Sequence, residues 1–222
     1  MFWSRPQIRR PVSQETQKLL EESVASAATL SPEDEYIFSE LRRGDVAIDL
    51  GANIGKITQL MARTGAKVHA FEPDPNAYGV LKKRFRWNWN VRLHNVAASN
   101  KVDRMKLFFR EEHLTDPVKF SVGSTLNPNK TNNNNDLHAV VDVIRFSDFL
   151  AQFDHIRILK IDIEGAEVNL LDDLLNRDLL QRVDIALVET HEEFIPDTAP
   201  GMAVIRQRVK DAGLSNVYFN WI

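Results

Sequence analysis

The sequence predicts an α/β fold: a mostly parallel sheet with helices on both faces, three layers in all. Three observations predict it. Short apolar runs alternate with amphipathic stretches of about ten residues, the pattern of βαβ units. A turn with two glycines, Gly51 and Gly55, joins an apolar strand to a helix. The chain has 222 residues, 43% hydrophobic and 27% charged, which suffices for one large domain with a real core.

The elements follow in order. Residues 1–12 hold two prolines, three arginines and a Trp, and read as an arm without regular structure. Residues 13–29 are helical, with Leu19, Leu20 and Val24 on one side. A second helix is capped by Ser31, has Pro32 at its first position, and ends before Gly44. "VAIDL" (46–50) is a strand, and "KITQLMART" (56–64) repeats apolar residues at helical spacing, closed by Gly65. "KVHAFE" (67–72) is the next strand. Asp74 and Pro75 open a helix that runs to about Asn88, and "VRLHNVAA" (91–98) is a strand.

"RMKLFF" (104–109) and "AVVDVIRF" (139–146) form an added antiparallel pair. Between them, 110–138 is long and polar, ending in "NPNKTNNNND", and is either disordered or a functional lid. "IRILKIDI" (156–163) is a strong strand followed by a helix from about Ala166 to Leu175. "VDIALVET" (183–190), a helix from Met202 to Ala212, and "NVYFNWI" (216–222) complete the alternation. The domain boundary is placed at 43/44, with an N-terminal arm and helical extension before it.

Composition excludes several classes. Without cysteine there is no disulfide, thiolate zinc site or cysteine nucleophile. A net charge of -3 gives no overall attraction to nucleic acid or anionic membrane, so neither partner is expected. The start lacks a secretory apolar region, and no apolar run reaches the ~18 residues needed to span a bilayer. A cytoplasmic protein is expected.

Ligands of parallel sheets bind at the carboxyl ends of the strands. Those ends carry Asp49, Glu72, Ala97, Asp162 and Glu189. The glycine turn suits a nucleotide, because no Cβ blocks close approach and the helix start offers free N–H groups. The dinucleotide fingerprint has a glycine where this chain has Asn53, and Asp49 would repel a pyrophosphate. A nicotinamide-dependent enzyme is therefore disfavoured. A nucleoside with a positive end, S-adenosylmethionine, suits the turn better. Glu72 stands 21 residues after Gly51, where a carboxylate accepts from both ribose hydroxyls. Ala52 within the turn and Pro73 after Glu72 belong to the same expected cofactor site.

A second dense stretch is "LKIDIEGAEVNLL" (159–171). Asp162 and Glu164 share a face on an extended chain, and Glu167 suits an early helix position. In "VETHEEF" (188–194), His191 beside carboxylates is a candidate general base. Asp162, Glu164 and His191 are the candidate catalytic residues. Together they could hold a hard divalent ion, but nothing in the sequence requires a metal, and none is assigned.

"DLGANIGKIT", "FEPDP" (71–75), "NVAAS" (95–99), "GSTL" (123–126) and "LKIDIEGAE" (159–167), in this order, resemble the FkbM family of S-adenosylmethionine-dependent methyltransferases. The resemblance covers about residues 44–213. It implies the class I methyltransferase fold, a Rossmann-like three-layer sandwich with a seven-stranded sheet. It implies O-methylation of a hydroxyl on a sugar or other small metabolite. By that likeness Asp49, Gly51, Asn53 and Gly55 line the methionine end of the cofactor, Glu72 holds the ribose, Ala97 lies against the adenine, and Asp162 sits near the transferring methyl. The family fold ends in a hairpin, whereas only the strand 216–222 follows Gly213. The Asn-Pro-Pro-aromatic turn common in amine methylation is replaced by "DIEG", which disfavours a nitrogen acceptor.

Two alternatives remain. One is a nucleic-acid or protein acceptor, suggested by "LKKRFRWNWNVR" (81–92), where Trp87 and Trp89 stand among basic residues. The reading taken is a helix with a solvated basic face and its aromatics turned to the core. The other is a non-catalytic binding module that keeps the fold.

Overall fold

The computed structural model describes residues 10–22 and 32–221. Residues 1–9 of the expected arm, the end of the first expected helix and the Ser31 cap lie outside the described residues. Helices α1 (Gln14–Glu22) and α2 (Pro32–Ser39) precede β1 (Val46–Leu50), α3 (Lys56–Arg63), β2 (Lys67–Phe71), α4 (Pro75–Phe85) and β3 (Val91–His94). Then come β4 (Ala97–Ser99), β5 (Asp103–Phe109), β6 (Asn134–Arg145), α5 (Phe146–Leu150) and β7 (Ile156–Ile161). The last elements are α6 (Glu167–Asn176), β8 (Val183–Glu189), α7 (Ala199–Asp211) and β9 (Val217–Trp221).

Six strands form a parallel sheet in the order β3-β2-β1-β7-β8-β9. The order reverses between β1 and β7, which opens a crevice beyond their carboxyl ends. Both of these strands are buried along their whole length, as continuous apolar runs in a covered sheet must be. Side-chain alternation divides the core. Ile48 and Leu50 face Phe71, Phe146, Leu170 and Leu174 on one side. Ala47 faces Phe38, Met61, Leu81 and Phe85 on the other. This is an α/β three-layer, Rossmann-like architecture, as the sequence predicts.

The strand expected at 91–98 is two strands. β3 stops at His94, where the Asn95 amide donates to the carbonyls of Glu72 and Pro73. The chain then turns into a second sheet of order β4-β6-β5, with β4 parallel to β6 and β5 antiparallel to it. The seven-stranded sheet is thus replaced, among the described residues, by sheets of six and three strands. β9 forms the edge beside β8, parallel to it.

The segment 110–138 has local structure. It makes short 3-10 turns at Glu111–Leu114 and Lys119–Ser121, pairs Thr125 with Phe108, and enters β6 at Asn134. At the amino ends of the strands the fully buried Arg157 guanidinium ties the N-terminal segment to the sheet. It donates to the carbonyls of Arg10 and Pro11, to Asp184 at 2.8 Å and to Glu40 at 3.0 Å.

Trp87 and Trp89 do not turn to the core. Leu81 and Phe85 are buried four residues apart, but α4 ends at Phe85. Beyond it the helical period lapses, leaving Trp87 81% and Trp89 73% exposed. Among the described residues no helix is long and apolar enough to cross a membrane.

Candidate functional site

A cleft of about 680 Å³ opens at the carboxyl ends of β1, β2, β7 and β8. Its size suits a nucleoside-sized ligand. The turn after β1 forms one wall. Gly51, Asn53 and Gly55 all have positive φ, at 76°, 48° and 85°. The amides of Gly51 and Ala52 donate to the Phe71 carbonyl at 3.1 and 2.9 Å. A Cβ on Gly51 would stand 1.8 Å from the Asp162 carbonyl oxygen, so close packing of the two strand ends demands glycine. Gly51, Ala52 and Asn53 line the cleft.

Two expected cofactor residues do not line it. A Cβ on Gly55 would meet the Phe85 ring at 2.5 Å and Leu81 at 2.6 Å, so this glycine allows α3 to pack on α4. Asp49 is fully buried beneath the turn. Strand alternation sends its side chain with Ala47 toward α3, where it accepts from the Thr58 hydroxyl at 2.6 Å and lies 3.4 Å from Lys160 Nζ. These contacts tie the strand end to the helix.

Glu72 faces the cleft at the end of β2, with Pro73 beside it. Its carboxylate accepts from the Asn53 amide at 2.7 Å and from the Asp74 amide at 2.8 Å. Burial pushes Glu72 up to about 8, against the pull of those two donors. Ala97, with Phe71, Val96, Ala98 and Leu107, makes the adjoining wall apolar.

The opposite end is ionic. Lys160, Asp162, Glu164 and Glu189 line it. Lys160 Nζ donates to Asp162 at 2.9 Å and to the Gly51 carbonyl at 3.0 Å. Burial opposes charge on Lys160, but Asp162 and Asp49 outweigh it and hold the ammonium above its ordinary value. Burial would likewise raise Asp162, yet Lys160 and His191 keep its carboxyl low. Burial, with Asp162 close by, pushes Glu189 up to about 7.

Glu164 has a left-handed φ of 54°, a strained conformation for a residue with a Cβ. Three contacts hold it there. Lys130 Nζ donates to its carboxylate at 2.5 Å and to the Gly123 carbonyl at 2.9 Å. The Thr125 hydroxyl donates to its carbonyl. The Glu167 carboxylate accepts from the amides of Ile163 at 3.2 Å and Gly165 at 2.8 Å, pinning the turn from both sides.

His191 stands behind these carboxylates and does not line the cleft. Its Nδ1 is 3.0 Å from Glu167, and its Nε2 is 3.2 Å from Glu164 and 3.6 Å from both Asp162 and Glu189. Burial alone would lower His191, but Glu167, Glu164 and Asp162 raise it to about 9. These carboxylates favour its imidazolium form. Donor atoms of Asp162, Glu164 and His191 lie within 4.8 Å of one another, a spacing a metal ion would accept. Lys160 already pairs with Asp162, and Lys130 with Glu164.

Sequence reasoning left three participants unassigned. Lys160 lies two residues from Asp162 and so on its face of the strand, a signal that was legible. Glu189 was visible as a strand end but carried no role. Lys130 sits within the asparagine-rich run, and nothing local marks it. The 110–138 segment also forms part of the cleft wall through Lys119, Ser121, Val122 and Gly123, and Ser121 accepts from the Asn53 side chain at 2.9 Å.

A family model, the methyltransferase FkbM domain, matches residues 49–214. "Methyltransferase 1" of Beauveria bassiana (strain ARSEF 2860) is 27% identical, over 66% of this chain and 66% of its own length. "31-O-demethyl-FK506 methyltransferase FkbM" of Streptomyces tacrolimicus is 27% identical, over 69% of this chain and 68% of its own. The chain thus spans about two thirds of each of these relatives. Among solved structures, a precorrin-6y C5,15-methyltransferase from Geobacter metallireducens GS-15 aligns at 14% identity over 87% of this chain and 76% of its own, with a TM-score of 0.42, too distant to bear on the chemistry.

Proposed function

This chain belongs to the FkbM methyltransferase domain family, whose cofactor is S-adenosylmethionine, and from that premise we propose that it methylates a hydroxyl of a sugar or other small metabolite. The observation that carries the reading is a single cleft with Glu72 at one end and the carboxylates of Asp162, Glu164 and Glu189 at the other.

The residues fit the cofactor. Glu72 offers acceptor oxygens for two ribose hydroxyls. Phe71, Val96 and Ala97 give an apolar wall for adenine, and the acidic end suits an ammonium and a sulfonium. When bound, S-adenosylmethionine supplies an electrophilic methyl group. The protein must hold an acceptor oxygen in line with it, which is mainly proximity and orientation.

An alcohol must also lose its proton. Lys160 holds the Asp162 carboxyl low, which weakens it as a base, and the Glu164 carboxylate is already engaged by Lys130 Nζ. His191 is protonated and set back. Glu189 faces the cleft with a pKa of about 7, the value a general base needs at neutral pH. We therefore assign the proton to Glu189, with Asp162 orienting it and the His191 imidazolium balancing the cluster. The name of the Streptomyces relative, a demethyl-FK506 O-methylating enzyme, supports a small hydroxylated acceptor.

A panel of hydroxylated metabolites and matching amines, screened for S-adenosylhomocysteine release, tests this. Turnover on a hydroxyl is expected. Turnover confined to amines would refute the reading. Glu189→Gln should lower kcat by about 10²–10⁴, a far larger loss than the one in S-adenosylhomocysteine affinity, because Asp162 and Glu164 still face the ammonium. The rate should rise with pH through about 7 as Glu189 ionises, and fall near 9 as the His191 imidazolium is lost.

A further inference from the structure

The cleft uses only one end of the sheet. At the other end lies a surface that the methyl-transfer reading leaves unexplained. Trp87 and Trp89 project from the turn between α4 and β3, at the amino ends of the strands. Arg86 lies over the Trp87 ring at 5.4 Å, and Arg43, from the turn before β1, over the Trp89 ring at 5.8 Å. Lys82, Lys83, Arg84 and Arg92 are exposed nearby. Arg10 pairs with Asp45 in the same turn as Arg43, so the N-terminal segment passes this face.

Charge is segregated along the chain. Residues 50–102 contain nine Lys and Arg against two acids, Glu72 and Asp74, and both acids are buried. That stretch carries a surplus of +7 within a chain of net charge -3, leaving -10 for the rest. The low overall charge, which argued against an anionic partner, conceals a basic stretch; Lys56 of that stretch lines the cleft, while Lys82, Lys83, Arg84, Arg86 and Arg92 are exposed around the two tryptophans.

We propose that this face docks the protein onto an anionic lipid bilayer, with both indoles at headgroup level and the basic side chains over acidic headgroups. Tryptophan is amphipathic and favours the bilayer interface, and each Lys or Arg near an anionic surface adds attraction. A flat surface suits rings that stand clear of the protein. A single nucleic-acid strand suits them less, because such strands are held in grooves and stack on free ring faces. Here an arginine already covers one face of each ring. The patch also lies about 16 Å or more from the cleft, the length of β1, so a strand bound here would not present its bases to the methyl donor.

Sedimentation of the full chain with phosphatidylcholine vesicles, with and without phosphatidylserine, tests the proposal. The wild type should co-sediment with the serine-lipid vesicles and not with phosphatidylcholine alone, and salt should weaken the binding. Trp87→Ala with Trp89→Ala, and separately Arg84→Glu with Arg86→Glu, should each weaken it about tenfold or more. Both pairs are exposed, so an unchanged thermal midpoint shows that each variant is folded. Failure of the wild type to bind, equal binding to both vesicle types, or variants as tight as wild type would overturn it. Tighter binding of a single-stranded oligonucleotide, lost in the same variants, would overturn it in favour of nucleic acid.

Discussion

Glu72 shows how far one residue can be read from sequence. Its distance from Gly51 and its place at the end of a strand predicted a position beside the turn, and it accepts the Asn53 amide there. Its energetics were not legible, because burial and the neighbouring Asp74 depend on the folded chain. They have a consequence. Glu72 titrates near 8, yet must be ionised to accept two ribose hydroxyls. Below pH 8 binding has to expel its proton, so S-adenosylhomocysteine affinity should rise with pH up to about 8 and then level off. Glu72→Gln, which cannot titrate, should flatten that slope in calorimetry across pH 6 to 9. Asp49 shows the opposite case. Its position in the motif suggested the ligand, but the period-2 alternation of β1 turns it under the sheet. His191 was legible as a histidine beside carboxylates, whereas its place behind four of them depends on Glu167 of α6 and the segment after β8 meeting in space.

At the scale of elements, alternation made the sheet legible, and two connections escaped it. The strand at 91–98 reads as continuous, but Asn95 spends its side chain on the Glu72 and Pro73 carbonyls and turns β4 into the second sheet. The 110–138 segment reads as polar filler, yet through Lys130 and Thr125 it fixes the strained Glu164 turn. Such long-range pairs leave no local pattern. The glycine turn is the reverse, since its sequence carries its reason. Gly51→Ala would drive a Cβ into the Asp162 carbonyl at a φ of 76°. Gly44→Ala, with nothing within 4 Å of the new Cβ, would incur only the left-handed backbone cost of about 1–2 kcal/mol. Gly51→Ala should therefore lower the thermal midpoint at least twice as far, on a scale of about 2–4 °C per kcal/mol. Equal shifts would show that the β1–β7 contact is looser than described.

The whole molecule is a sheet with different work at its two ends. At the carboxyl ends, glycines and carboxylates build a cleft. At the amino ends, Arg157 joins the N-terminal segment, Glu40 and Asp184, so the extension drawn as separate at 43/44 shares one ion cluster with the sheet. Arg157→Ala would take the shared guanidinium from two half-buried carboxylates, of which Asp184 keeps His155 and Glu40 keeps Ser13 and Thr16, and should cost about 1–3 kcal/mol in urea unfolding. The fold class, most of the order of elements and the carboxyl-end location of the cleft were readable from periodicity. The segregation of charge was present in the sequence too, but averaging over the chain hid it. The account rests on the cleft holding the nucleoside of S-adenosylmethionine through Glu72. Calorimetric titration of S-adenosylhomocysteine into wild type and Glu72→Ala tests this most directly. Binding to wild type that weakens tenfold or more in the variant, the loss of about 1.5–3 kcal/mol of hydrogen bonding to a charged group, is the predicted result. Equal affinity in the two proteins would contradict it.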